Sequence, residues 1–333
     1  MSGPPIRPRR KGPRGKIGAT PTRRSHTPAA AALLVVLLVG CEAGAPAPPD
    51  PLETPGRTRL VLLGTGTPNA DPERSGPALA IVVDSASYLV DAGPGVVRRA
   101  AAAASRHGLT GLTPPRLTHL FLTHLHSDHT VGVPDVMLSP WTLERTEPLT
   151  LLGPPGTAAM AGHLQQAYAE DVRVRLEGLE PANPTGWETR AHDVEPGVVF
   201  EDERVRVTAF RVPHGSWQAA YGYRFDTPDR SIVVSGDTGP ADAVAQACSG
   251  CDVLVHEVYA SDGFGTRPGP WQRYHSAFHT SATEVGRIAA EGGAGMLVLT
   301  HHLLWGATEA SVLAEVRTHY PGPVYFGNDL DVF

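Results

Sequence analysis

Cysteine is scarce in this chain of 333 residues: three in all, of which only Cys248 and Cys251 lie beyond residue 41. A scaffold built on disulfides is thereby excluded, and one C-x-x-C pair cannot complete a tetrahedral zinc site by itself. The pair reads as a local disulfide in an oxidising compartment or as two packed thiols. Positive charge is also sparse past residue 40, where 20 Lys and Arg face 34 Asp and Glu, although the whole chain carries only −6. Such a surface repels a phosphate backbone over most of its area, which argues against nucleic acid as a partner and for a small substrate. No repeat of solenoid period is present. No apolar run reaches the about 20 residues of a membrane-spanning helix; Ala29–Val39 is too short and ends too abruptly.

What is present begins with a signal. Residues 1–40 hold eight Lys and Arg and no acid, then that short apolar run, the pattern of an export signal. The run ends in Leu38-Val39-Gly40-Cys41, which resembles a bacterial lipobox; the resemblance implies that Cys41 is lipidated and anchors an exported protein to a membrane, in the periplasm or at the cell surface. Residues 41–58, rich in Pro and Ala, read as an extended tether. One large domain, 59–333, follows.

Within it, short apolar runs such as RLVLLG (59–64), ALAIVVD (78–84), HLFLTH (119–124), SIVVSGD (231–237), DVLVHE (252–257) and MLVLTH (296–301) read as strands. Segments near 95–107, 157–169, 240–247, 281–291 and 308–319 read as helices. Many strands with helices between and after them predict an α/β fold in which two sheets pack face to face with helices outside. The Gly-Thr-Gly of LLGTGTP (62–68) lacks the third glycine and following helix of a nucleotide loop and reads as a tight turn.

The densest chemistry sits directly after an apolar strand: His124-Leu125-His126-Ser127-Asp128-His129. Three imidazoles and a carboxylate within six residues are costly to bury unless they bind something, and the set suits zinc, manganese or iron. Alternation places His124 and His126 on one side of the extended chain, with Asp128 and His129 beyond a bend, so one loop can feed two metals. His214, Asp237 and His301 each end an apolar run, where a rigid strand terminus can hold a ligand in place.

The motif His124-x-His126-x-Asp128-His129 resembles the signature of the metallo-β-lactamase superfamily. In order along the chain, LLGTGTP (62–68) and LVDAGPG (89–95) resemble its opening strands, and GPPGT (153–157), VPH (212–214), SGDTGP (235–240), DVLVHE (252–257), HTSATE (279–284) and VLTH (298–301) resemble its ribonuclease Z branch with the arylsulfatase-like and phosphodiesterase relatives. The resemblance implies a four-layer αββα sandwich of two mixed β-sheets flanked by helices. It implies two divalent metal ions, zinc first and manganese or iron as alternatives: His124, His126 and His214 would hold one, Asp128, His129 and His301 the other, with Asp237 bridging. It further implies Asp91 as a support of the metal loop and His279, oriented by Glu257, as proton donor to the leaving group. Asp128 is the candidate base. A homodimer is compatible with the resemblance.

True β-lactamases of the superfamily usually carry Cys or Ser where this chain has Asp237, so a small phosphodiester or sulfate ester is the expected substrate. Ribonuclease activity stands second, because no basic Gly/Pro-rich insertion resembles the arm that grips transfer RNA in that branch. Lactone or β-lactam hydrolysis and a non-catalytic binding or sensing lipoprotein are the remaining readings. Trp217, Trp271 and Trp305 are candidates for an aromatic entrance or for core. His119, His163, His192, His256 and His319 belong to no cluster, and His302 points away from its neighbour His301.

Overall fold

The computed structural model describes residues 58–333. The expected export signal of 1–40, the lipidated Cys41 and all but the last residue of the tether of 41–58 lie outside the described residues. No helix among those described is long and apolar enough to cross a membrane.

The first sheet opens with an antiparallel meander, β1 (Arg59–Gly64), β2 (Ala78–Val83) and β3 (Ala86–Val90), and then grows in parallel. Helix α1 (Val96–His107) leads from β3 to β4 (His119–Phe121), α2 (Ser127–Thr130) and α3 (Val133–Thr142) lead to β5 (Leu149–Gly153), and α4 (Thr157–Ala167) and α5 (Ala169–Glu177) lead to β6 (Thr189–Asp193). The second sheet begins antiparallel with β7 (Gly197–Glu201), β8 (Arg206–Arg211), β9 (Tyr221–Asp226) and β10 (Ser231–Val234). It turns parallel for β11 (Val253–Tyr259), β12 (Leu297–Leu303) and β13 (Val324–Phe326), with α6 (Asp242–Cys248), α7 (Ser261–Gly265), α8 (Gly269–Phe278), α9 (Ala282–Glu291) and α10 (Glu309–Arg317) between them.

Period-two alternation explains the layering. In β1, Leu60 and Leu62 face the second sheet and join Ile81, Phe121, Val207, Phe225, Val234 and Val255, whereas Val61 and Leu63 face α1 and α3 through Val96, Ala100, Val133 and Met137. The second sheet turns Val233, Leu254, Leu297 and Leu299 towards Val244, Val285, Ile288 and Val312 of its own helices. Each such side chain taken from water contributes about 1.5–3 kcal/mol, so both faces of both sheets are stabilised. The arrangement is the αββα sandwich of two mixed sheets.

Several elements depart from the sequence reading. The edge strands β6 and β7 were not expected, because TRAHD and GVVFE are polar or half exposed and lack a buried run. Helix α8 begins at Pro268-Gly269-Pro270, a string that reads as loop, but a proline in the first turn is compatible with a helix start. Cys248 and Cys251 form a disulfide at the end of α6, which settles the choice between bridge and packed thiols. After α3, Arg145 is wholly buried without an acidic partner; its guanidinium donates to the carbonyls of Leu117, Val136, Met137 and Gly186. Burial pushes that group down to about 10.

Candidate metal centre

The cluster loop leaves β4 at the end of the first sheet. Its first polar residue, Thr123, is pinned to the Asp91 carboxylate through both its backbone N–H and its hydroxyl, each at 2.8 Å. His124 and His126 follow on extended chain, and the backbone then enters α2, which swings Asp128 and His129 to a second position. The other residues arrive from the second sheet. His214 lies three residues past β8, and Asp237 lies three past β10.

His301 is delivered by an irregularity that alternation did not reveal. Glu257 on β11 pairs with Thr300 and Val258 pairs with His302, so His301 is the extra residue of a bulge. A bulge re-aims one side chain without breaking the sheet. His301 and Asp91 both occupy the left-handed region, with φ of 47° and 61°, a cost of about 1 kcal/mol or more each that a packed surround must offset. His302 points away, buried, with its ring stacked on Phe326 at 3.7 Å.

The seven side chains converge in two groups. His124 Nε2 and His214 Nε2 lie 3.0 and 3.1 Å from His126 Nδ1, and Asp237 belongs to the same set. In the second group, His129 Nε2 is 3.5 Å from Asp128 Oδ2 and 3.4 Å from Asp237 Oδ2, while His301 Nε2 is 3.4 Å from each of those oxygens. Ligands about 2.1 Å from a tetrahedral ion stand about 3.4 Å apart, so both groups have the spacing of a coordination shell. His129 Nε2 is buried without any hydrogen-bond partner, a costly placement unless a cation takes its lone pair. Asp237 is common to both groups and fits a bridge. The residues present therefore fit two divalent ions.

The outer nitrogens of the rings are also held. His129 Nδ1 donates to Asp91 Oδ2 at 2.8 Å, and His214 Nδ1 donates to the Phe278 carbonyl at 2.8 Å. His124 Nδ1 donates to the Thr123 hydroxyl at 3.0 Å, which itself donates to Asp91. These contacts place the protons outside and turn the Nε2 lone pairs inward. Asp91 thus orients one histidine of each group.

The two groups differ electrically. Burial pushes His214 down to about 4 and His124 well below the ordinary imidazole range. Burial acts the same way on His129 and His301, yet the nearby carboxylates outweigh it. Asp237 and Asp91 hold His129 well above its ordinary value, and Asp237 with Asp128 raises His301.

His279 sits behind the second group. Its Nδ1 is 3.4 Å from Glu257 Oε2 and 3.9 Å from Asp237 Oδ2. Glu257 is held by the Thr280 N–H at 2.7 Å, and burial, then Asp237, pushes its carboxyl well above the carboxylate range. The N-cap of α9 is Ser281, and His279 closes α8 through its backbone N–H alone, which leaves its ring free of capping. Its neighbour His275 is buried among Trp271, Tyr274 and Trp305. Trp305 is partly buried against Tyr259, and Trp271 is exposed.

Trp217 was a candidate for the entrance, but its contact with a candidate ligand was not foreseen. Its indole N–H donates to His126 Nε2 at 2.8 Å. The turn that brings it back passes through Gly215, with φ of 51°, where a Cβ would run into the Phe278 ring. A groove of about 570 Å³ opens at Asp128 between Thr67, Asn69, Arg74 and Gly95, and a second of about 440 Å³ opens beyond Trp217 towards Pro155 and Arg211.

Comparison with known proteins agrees with this geometry. The family model described as beta-lactamase superfamily domain matches residues 87–302. A ribonuclease Z of Mycobacterium bovis is 31% identical over 277 residues, spanning 81% of this chain and 96% of that protein. Among solved structures, a metallo-β-lactamase fold protein of Bacillus subtilis aligns with a TM-score of 0.62 at 18% identity, covering 83% of this chain and 98% of that one. The short form of human tRNase Z aligns with a TM-score of 0.61 at 20% identity, covering 83% and 98%. The relatives favour the ribonuclease reading over the small-ester reading and count against the expectation that nucleic acid is an unlikely partner. With 31% identity along nearly the whole of a ribonuclease Z and a family match through the metal-type cluster, the chain belongs to the metallo-β-lactamase superfamily and to its ribonuclease Z branch.

Proposed function

We propose that this protein is a hydrolase of ribonucleotide phosphodiesters, working with two divalent ions held by His124, His126, His214, Asp128, His129, His301 and the shared Asp237. Zinc is the first choice and manganese or iron the alternatives, since imidazole and carboxylate ligands accept all three. The carrying observation is the doubled ligand set around Asp237 on a chain 31% identical to a ribonuclease Z. Ions bound there supply a nucleophile at neutral pH and offset the charge of the phosphoryl oxygens.

The protein's own groups account for the remaining steps. Asp128 lines the open groove and is placed to take the proton of the attacking water. His279 lies beside Asp237 and His301, and its contact with Glu257 aims it to protonate the departing alkoxide. Asp91 fixes the ring orientation on which both groups depend.

A second reading, a small phosphodiester, is favoured by the excess of acid over base beyond residue 40, which opposes a long polyanion. The export-signal pattern and Cys41 support a membrane-anchored, exported enzyme, and Cys41→Ala should release it from the membrane fraction.

The deciding experiment compares turnover of a 3′-extended RNA hairpin, bis-p-nitrophenyl phosphate, an aryl sulfate and nitrocefin by the metal-loaded full chain. Cleavage of the RNA at one position supports the main reading. Turnover of bis-p-nitrophenyl phosphate alone moves the small phosphodiester forward, and activity confined to the sulfate or to nitrocefin overturns both.

A further inference from the structure

Helix α8 carries side chains that the reaction above does not use. From residue 263 to residue 283 the chain contains Arg267 and Arg273 and no acid, inside a domain where acids prevail. Trp271, Tyr274 and Phe278 recur at spacings of three and four, which places them on one side of the helix. Such a stripe ordinarily packs into a core. Here Trp271 is 49% exposed and Tyr274 36% exposed.

The rings form a stair that ends at the metal centre. Tyr274 lies on Phe278 with centroids 4.2 Å apart and planes 22° apart. Phe278 in turn lies near-parallel to His126 at 6.1 Å and 18°, and meets the edge of His214 at 4.9 Å. The Phe278 carbonyl also holds His214 Nδ1, so the end of the helix is tied to the ligand set. At the outer end, the Arg267 guanidinium lies over the Trp271 and Trp305 rings, 5.5 and 5.6 Å from their centroids, within cation–π range of both. Burial, then the Asp237 and Asp128 carboxylates, push the Tyr274 phenol up, so the ring feels the same field as the reacting centre.

From this arrangement we infer that Tyr274, flanked by Trp271, is a stacking platform for the nucleobase next to the scissile phosphodiester. Every base presents a π-face, so such a platform grips nucleotides with little sequence preference, and Arg267 and Arg273 on the same segment add positive charge that a phosphate backbone can meet. The inference rests on the phosphodiester reading of the same site.

The test measures kcat/KM of the metal-loaded full chain on a diribonucleotide and on the same phosphodiester with one base removed. It uses the wild type, Tyr274→Leu, Tyr274→Phe and, as a control outside the platform, Tyr325→Leu on β13. The wild type should prefer the base-bearing substrate by about tenfold or more. Tyr274→Leu should reduce that preference to near unity, mainly through KM, while Tyr274→Phe and Tyr325→Leu retain it. A preference that survives Tyr274→Leu, or that Tyr274→Phe abolishes equally, overturns the platform.

A second arm does not depend on turnover. Adenosine 5′-monophosphate should quench tryptophan emission of the wild type where ribose 5-phosphate does not, and Trp271→Leu should remove most of the quench. If no ribonucleotide phosphodiester is cleaved at all, the proposed function fails while this arm still decides whether a base stacks here. Equal responses to the two ligands overturn the platform.

Discussion

His124, His126 and His214 make one half of the centre from imidazoles alone, whereas Asp128, His129 and His301 make the other from two imidazoles and a carboxylate, with Asp237 shared. Both lie in the same cleft between two sheet ends. In the first half, burial outweighs the pull of the single carboxylate of Asp237 and keeps His124 and His214 neutral, ready to donate a lone pair. In the second, Asp91, Asp128 and Asp237 favour the protonated ring, so a proton competes with a cation for His129 and His301. Residue type alone does not set ligand character; the spacing of carboxylates around each ring does.

The sharpest way to separate the halves is to damage one at a time. His214→Ala and Asp128→Ala should each lower metal content from two ions to about one and lower turnover of bis-p-nitrophenyl phosphate by roughly 1,000-fold, because nucleophile and charge stabilisation are shared across the pair. Plasma mass spectrometry beside kinetics checks this; loss of both ions from either variant would show that the halves do not load separately.

Acidification should discriminate them next. The first half holds His214 down at about 4, so protons do not displace its cation near neutrality. The second half binds protons more readily, so lowering the pH from about 8 to about 6 should release its ion first and leave one per chain. Equilibrium dialysis across that range reads the stoichiometry. A single concerted release would break the comparison.

Support from behind the ligands gives a smaller effect. Asp91→Ala removes the acceptor of His129 directly and that of His124 through Thr123, and should weaken metal binding about 10- to 100-fold. Thr123→Val breaks the His124 relay and leaves the His129–Asp91 contact in place, and should weaken the first half more than the second. Competition with a chromogenic chelator measures both variants.

The smallest expected signal is spectroscopic. An imidazole that gives Nδ1 to a cation carries its proton on Nε2, where His126 accepts from Trp217 at 2.8 Å. Loading the first half should therefore shift Trp217 and change tryptophan emission, a change that Trp217→Phe removes and the His129→Ala variant of the other half retains.

Much of this was readable from the chain because the ligands sit where apolar runs stop. His124, His126, Asp128 and His129 are contiguous, and His214 and Asp237 follow runs whose strand character is unambiguous. His301 was expected from its motif, but the bulge that aims it depends on register between β11 and β12, a property of two strands together. The contact of Trp217 with His126 and the stair of rings on α8 were hidden for the same reason: a turn through Gly215 and a helix opening with Gly269-Pro270 carry no apolar period that announces their neighbours. The excess of acid speaks only for the average of the surface, while the segment around Arg267 and Arg273 is locally basic, so net charge alone does not decide between RNA and a small phosphodiester.

The most direct test of the account is the metal content and bis-p-nitrophenyl phosphate turnover of the full chain beside Asp237→Ala, the one residue common to both halves. The account predicts about two ions per wild-type chain with measurable hydrolysis, and loss of ions together with turnover in the variant. A folded wild type that holds one ion or none after reconstitution, or an Asp237→Ala variant that keeps both ions and full activity, would contradict it.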